Sequence, residues 1–115
     1  MKRIITKRIY EESTKQDGYR ILVDRIWPRG VSKEQANLEE WNKDIAPSTE
    51  LRKWFGHQEK RFEEFKKKYK KELEKQEKEL KRIKKIAQQK QICLLYGAKD
   101  EKHNQAIVLK EILES

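Results

Sequence analysis

Residues 58–90 contain neither proline nor glycine, and their apolar side chains recur at helical spacing. Phe62, Phe65, Tyr69, Leu73, Leu80, Ile83 and Ala87 follow one another in steps of 3, 4, 4, 7, 3 and 4, which aligns them along one face of a helix. The one missing step falls at Gln76. Lys and Glu dominate the other faces, with Glu63–Lys67 and Glu74–Lys78 at i,i+4 in the favoured order. A stripe of this kind has to be covered. The segment therefore predicts one long helix, or two joined near Gln76, packed by one side on a core. Two other uses stay open: a coiled-coil pairing and a basic face for nucleic acid. The stripe is short and aromatic at its start, which disfavours the first. The interspersed glutamates, which would repel phosphate, disfavour the second.

This segment also holds most of the chain's charge. It has 14 Lys/Arg against 7 Glu, whereas the rest of the chain has 15 Lys/Arg against 13 Asp/Glu. The net charge of +9 is thus largely local, and nucleic acid is only weakly supported as a partner. Charged residues make up 43% of the chain, a fraction that raises the question of disorder. The 26 Leu, Ile, Val and Phe residues clear the floor of about 20% expected of a folded domain. A length of 115 residues fits one domain spanning 1–115. No apolar run approaches the ~18 residues of a membrane span, and the N-terminal ten residues lack a signal-peptide core. With a single cysteine, the expected setting is the cytoplasm, with no membrane partner.

Three segments read as strands: 3–9, 19–26 and 91–96. Ile21-Leu22-Val23 and the run 91–96 are continuously apolar, as in strands buried on both faces. Residues 10–18 read as a loop closing on Asp17-Gly18. Trp27-Pro28-Arg29-Gly30 suits a type I turn. Ser32 and Gln35 form a capping box for a short helix from Lys33. Ser48 caps a helix over 49–55, and Gly56 suits its end. Asp100 is placed to cap a last helix over 101–114. The order strand, strand, helices, strand, helix predicts an α/β fold: a small, mostly parallel sheet flanked by helices, with the long basic amphipathic segment as one flank. The helices between the last two strands make those two parallel. The relative direction of the first two strands stays open.

Ligands of open α/β sheets sit beyond the carboxyl ends of the strands. One such end offers Asp24, Arg25, Trp27, Arg29 and Gly30. The other offers Tyr96, Gly97, Lys99, Asp100, His103 and Asn104. His103 is expected in the first turn of the last helix, facing the strand ends. Lys43, Arg52 and His57 form a third group near Trp41 and Trp54. Arg25, Arg29 and Lys99, together with a helix N-terminus, suit a carboxylate or phosphate. Ordinary packing and ion pairing remain the alternative for each: Arg25 with Asp44 or Asp100, Trp27 in the core, and His57 at a helix end. Cys93 lies mid-strand and reads as a buried small hydrophobe. The spacing of His and Cys gives no metal motif, and no phosphate loop or nucleophile elbow is present, so no cofactor is expected. General acid–base work by Asp24, Asp44, His57 or His103 stays open.

Three strings carry a family resemblance: YRILVDRIWPRGVSKE at 19–34, WNKDIAPSTELRKWFGH at 41–57 and LLYGAKDEKHNQAIVLKEIL at 94–113. They are similar to the YeaO-like group of the domain of unknown function 488 family. The resemblance spans nearly the whole chain; within 58–90 it rests on Phe65, Tyr69, Glu72 and Leu73. It implies a small cytoplasmic bacterial or archaeal α/β protein and brings no activity with it. Broader relatives look as if they carry cysteines near the last strand end, where this chain has Tyr96 and Gly97. Thiol or metal chemistry is therefore not implied here. The leading expectation is a small anionic ligand at the strand ends, contacted by Arg25, Trp27, Arg29, Lys43, Arg52, His57, Tyr96, Lys99, His103 and Asn104. A nucleic-acid-binding face and a protein-interaction module are the alternatives.

Overall fold

The computed structural model describes residues 3–115. Four parallel strands form one sheet: β1 (Ile4–Arg8), β2 (Tyr19–Leu22), β3 (Glu40–Trp41) and β4 (Ile92–Tyr96), in the order β1-β4-β2-β3. The last strand in sequence lies between the first two. Its composition explains why: Ile92-Cys93-Leu94-Leu95-Tyr96 is buried at every position, and only a central strand covered on both faces can hide such a run. The first two strands are therefore not a hairpin. Each pairs in parallel with β4, Ile4 opposite Ile92 and Tyr19 opposite Ile92 from the other side.

Alternation along the strands sorts the side chains into two layers. Ile21, Val23, Ile92, Leu94 and Tyr96 face the larger core, and Leu22, Cys93 and Leu95 face a smaller one. The larger core is covered by α2 (Thr49–Phe55), α3 (Phe62–Leu73), α4 (Glu77–Gln89) and α5 (Gln105–Glu114). The expected stripe supplies much of it. Phe62, Phe65, Tyr69, Leu73, Ile83 and Ala87 are all buried, with Leu80 packed at the edge. The stripe is spent on the chain's own core, and a tight 3₁₀ turn at Glu74–Gln76 joins the two helices where the spacing skipped. The smaller core lies under α1 (Lys33–Ala36), with Trp27 and Trp41 in edge-on contact at 5.2 Å.

The local caps follow the sequence. Ser32 accepts from Gln35 N–H, and Ser48 accepts from Leu51 N–H. Gly56 ends α2 in the left-handed region at φ 53°. Ser48 does more than cap: its hydroxyl donates to Glu72 at 2.5 Å and its N–H donates to the same carboxylate at 2.9 Å, tying α2 to α3.

Three expectations change. β2 ends at Leu22 rather than at residue 26, although Val23 N–H still reaches Leu95 O at 3.0 Å. Beyond it the Asp24 carbonyl accepts from Trp41 Nε1 and the Asp24 carboxylate from Gly97 N–H, so side chains replace the ladder. The last helix begins at Gln105, not 101. Asn104 is its cap, and Asp100 instead accepts the Lys102 and His103 N–H groups in a turn that holds them outside the helix. β3 was not expected: two residues carry no periodicity to read.

Candidate cleft at the strand ends

A cleft of about 150 Å³ opens at the carboxyl end of the sheet, between the loop after β2, the loop after β4, α2 and the start of α5. Asp24 forms its polar floor. The carboxylate accepts from Gly97 N–H at 2.8 Å and from the Gln105 amide. This approach requires a glycine at 97, because a Cβ there would lie 2.9 Å from Asp24 Oδ2. Burial pushes the Asp24 carboxyl up to about 6, against the opposing pull of the Gly97 and Gln105 hydrogen bonds and of the Arg52 charge. Among the described residues Asp24 has no ion-pair partner.

Arg25 lines the cleft, but its guanidinium is occupied. Its Nε donates to Pro47 O at 2.9 Å, and its Nη2 reaches the Lys43 and Ala46 carbonyls at 3.4 Å. It holds the 43–47 loop against the strand end instead of pairing with Asp44 or Asp100. Arg52 differs. It projects from α2 into the mouth, is exposed, and makes no ion pair among the described residues. His57 reaches the same mouth because the chain turns sharply after α2. Its own φ is 58°, a left-handed conformation uncommon outside glycine. Phe55, Phe65, Pro47 and Ile26 complete the apolar wall, Ile26 being 55% exposed.

Of the residues expected at a ligand site, the structure brings together Arg25, Arg52, His57 and Asn104. Asn104 is buried and spends its side chain on capping Ile107 N–H and on Asp100 O. The others lie elsewhere. Trp27 packs on the opposite face of the sheet and donates to Val31 O. Arg29 is exposed on its loop and gives its carbonyl to the Tyr10 hydroxyl. Lys43 sits 4.1 Å over the Trp41 ring. Tyr96 is part of the large core, and Lys99 is exposed outside the cleft lining. The alternation of buried strands sends neighbours to opposite faces, so proximity in sequence did not imply a shared site.

His103 falls in an adjacent depression beside Phe62, whose ring it meets edge-on at 5.1 Å. Its Nδ1 lies 2.9 Å from Asp100 and its Nε2 lies 3.6 Å from Glu59. The ligand atoms of these three residues fall within 4.8 Å of one another. Asp100 already takes Nδ1 and two backbone N–H groups, so its carboxylate is largely committed to the turn.

Asp24 was visible in the sequence as a strand-end residue but not as the centre of the cleft. Gln105 and Phe65 gave no signal, since one looked like a helix surface position and the other like ordinary core. Cys93 points into the smaller core on the other face of the sheet, and burial pushes its thiol up to about 12. It supplies no thiolate to the cleft.

The family model described as the inactive DUF488-N3 subclade matches residues 3–115. The chain is 47% identical over 109 residues to the uncharacterized protein YeaO of Escherichia coli K12, covering 95% of both. It is 49% identical over 67 residues to an uncharacterized protein of Mycobacterium tuberculosis H37Rv, a stretch covering 58% of this chain and 57% of that one. No solved structure matches the chain. A family match from residue 3 to the last residue, joined by a relative aligned over nearly its full length, shows that the chain belongs to the YeaO-like group of the DUF488 family.

Proposed function

We propose that the domain binds a small carboxylate- or phosphate-bearing ligand in the cleft at the strand ends. The observation that carries this reading is Arg52: an exposed guanidinium with no ion-pair partner among the described residues, at the mouth of a cleft whose other arginine is occupied. Arginine presents a fork that matches carboxylate and phosphate oxygens. The position agrees with the general placement of ligands in parallel sheets. The matched family model is described as an inactive subclade, which supports binding without turnover. The inaccessible Cys93 agrees with that. The cytoplasm is the compartment this reading takes, and no helix of the described residues is long and apolar enough to cross a membrane.

Isothermal titration with sulfate and acetate at low ionic strength tests the reading. Arg52→Gln should weaken binding at least tenfold, while Arg29→Gln and Lys99→Gln, outside the cleft, leave it unchanged. Equal loss from all three variants would reduce the effect to general surface charge.

A second reading rests on a different observation. Trp54 is half-buried, with Arg61 5.3 Å and Lys68 5.2 Å from its ring, and the helices α3 and α4 carry exposed Lys67, Lys71, Lys78 and Lys85, none of which forms an ion pair among the described residues. Such a surface suits a nucleic-acid backbone with a base stacked on the indole. Anisotropy with a labelled single-stranded oligonucleotide should then show affinity that falls steeply with salt and drops on Trp54→Ala. Absence of binding at ~50 mM salt removes this reading.

A further inference from the structure

We propose that the cleft is built for a zwitterion of the amino-acid class, its carboxylate on Arg52, its ammonium on Asp24 and its side chain against Phe55, Phe65 and Ile26. The inference rests on the binding reading above and adds the chemistry of the ligand.

The argument starts from what Asp24 lacks. An ionised carboxylate has about four acceptor positions, and here two neutral donors, Gly97 N–H and the Gln105 amide, take one each. The carboxylate is half-buried, and a charge drawn out of water is ordinarily paired, yet no cation of the described residues forms an ion pair with it. Arg25, its neighbour in sequence, turns to the carbonyls of the 43–47 loop. Arg52 lines the same cleft and acts on Asp24 through its field without forming an ion pair. The groups that face Asp24 are therefore Arg52 from α2, Arg25 from its own loop, His57 at the mouth, Tyr69 from α3 and Gln105 from α5.

An acid and a base left unpaired in one cleft select for a ligand that carries both signs. A simple anion meets Arg52 but faces the Asp24 carboxylate. A simple cation meets Asp24 but faces Arg52. Only a molecule with an anionic and a cationic group satisfies both. Size agrees. The 150 Å³ of the cleft is many times the roughly 10–15 Å³ that a single water needs, which leaves room for a small molecule. The apolar wall supplies a surface for its side chain.

The same geometry gives a pH dependence of definite sign. Asp24 binds an ammonium only when ionised, so affinity for a zwitterion rises as the pH passes upward through about 6. Affinity for sulfate, which keeps its charge over this range, falls or stays flat.

The test screens the twenty standard L-amino acids by thermal shift, with sulfate alongside, and titrates the best of them calorimetrically. Its N-acetyl derivative, which loses the ammonium, and its amide, which loses the carboxylate, are then compared. The parent should bind at least tenfold tighter than either derivative at pH 7.5 and at least fivefold tighter at pH 7.5 than at pH 5. Asp24→Asn retains an oxygen for Gly97 N–H. It should erase the pH dependence and the penalty for N-acetylation, while sulfate binds it no more weakly than the native chain. If sulfate or the N-acetyl derivative binds as tightly as the parent, the zwitterion is overturned and the anion reading stands. If nothing binds a cooperatively folded protein, both readings fall together.

Discussion

Asp17 and Asp24 stand at opposite ends of the same strand, and the chain treats them in opposite ways. Asp17, just before β2, is 3% exposed and enclosed by cations: Arg20 Nη1 at 2.5 Å and Lys7 Nζ at 3.1 Å, with Thr14 N–H at 3.1 Å. Burial pushes its carboxyl up, and the Thr14, Lys7 and Arg20 hydrogen bonds more than offset this, leaving it below the usual carboxylate range. The Arg20 guanidinium of this 2% exposed residue also donates to the Ala36 and Asn37 carbonyls, which pins the end of α1 to the sheet. Asp24, two residues beyond β2, has only neutral donors, and its carboxyl is pushed up to about 6. One end of the strand is closed electrostatically and serves the fold. The other is left without a cation, which is the feature the proposed ligand reading rests on.

The largest test breaks the closed end. Arg20→Ala leaves Asp17 buried with only Lys7 as a cationic partner and frees the Ala36 and Asn37 carbonyls at the end of α1. It should cost about 3–5 kcal/mol, read as a lower urea midpoint. A loss under about 1 kcal/mol would mean that water or Lys7 replaces the guanidinium, and the contrast between the two ends would weaken.

The open end should respond in the other direction. In the folded chain Asp24 holds its proton up to about pH 6, whereas an unfolded aspartate releases it near 4. The folded state thus binds more protons between these values, and this residue's contribution to stability falls as the pH rises from about 4 to about 6. Asp24→Asn should therefore stabilise the chain by about 1–2 kcal/mol at pH 7, with the gain vanishing by about pH 4. Asp17 runs oppositely: its contribution is present above about pH 4 and is lost as the pH falls through its depressed folded value. Urea unfolding of Asp24→Asn and Asp17→Asn beside the native chain across pH 3–8 separates the two slopes. Parallel slopes would refute the distinction.

A smaller effect is expected away from both ends. Ser48→Ala removes the cap of α2 and the hydroxyl bond to Glu72, and should cost about 1–2 kcal/mol, measured by thermal melting. The smallest belongs to Arg52. Its exposed side chain forms no ion pair among the described residues, so Arg52→Gln should change stability by less than about 0.5 kcal/mol while weakening the proposed anion binding at least tenfold. A large loss of stability on that change would move Arg52 from the site to the scaffold.

Much of the fold was legible before any coordinates. The helical stripe from Phe62 to Ala87, the skipped step at Gln76, the caps at Ser32, Ser48 and Gly56 and the buried run 91–96 each depend on local periodicity or local hydrogen bonding, which a sequence displays directly. The cleft at the strand ends was legible as a place but not in the residues that line it. Arg25, Arg52, His57 and Asn104 do gather at the strand ends. Trp27, Arg29, Lys43, Tyr96, Lys99 and His103 do not line that cleft, because strand alternation and loop direction decide which way each side chain points. Asp100 and Asn104 compete as caps within one loop, and spacing alone does not rank them.

The sequence by itself determined that the chain takes an α/β fold with a one-sided helical arm, and that its excess positive charge is concentrated on that arm. Only the tertiary structure decided that β4 enters between β1 and β2, that Arg25 is consumed by backbone carbonyls and that Asp24 is left without a cation. Periodicity and capping are short-range and written in neighbouring residues. Whether a charge is satisfied depends on groups dozens of positions away, and those meet only when the sheet is assembled.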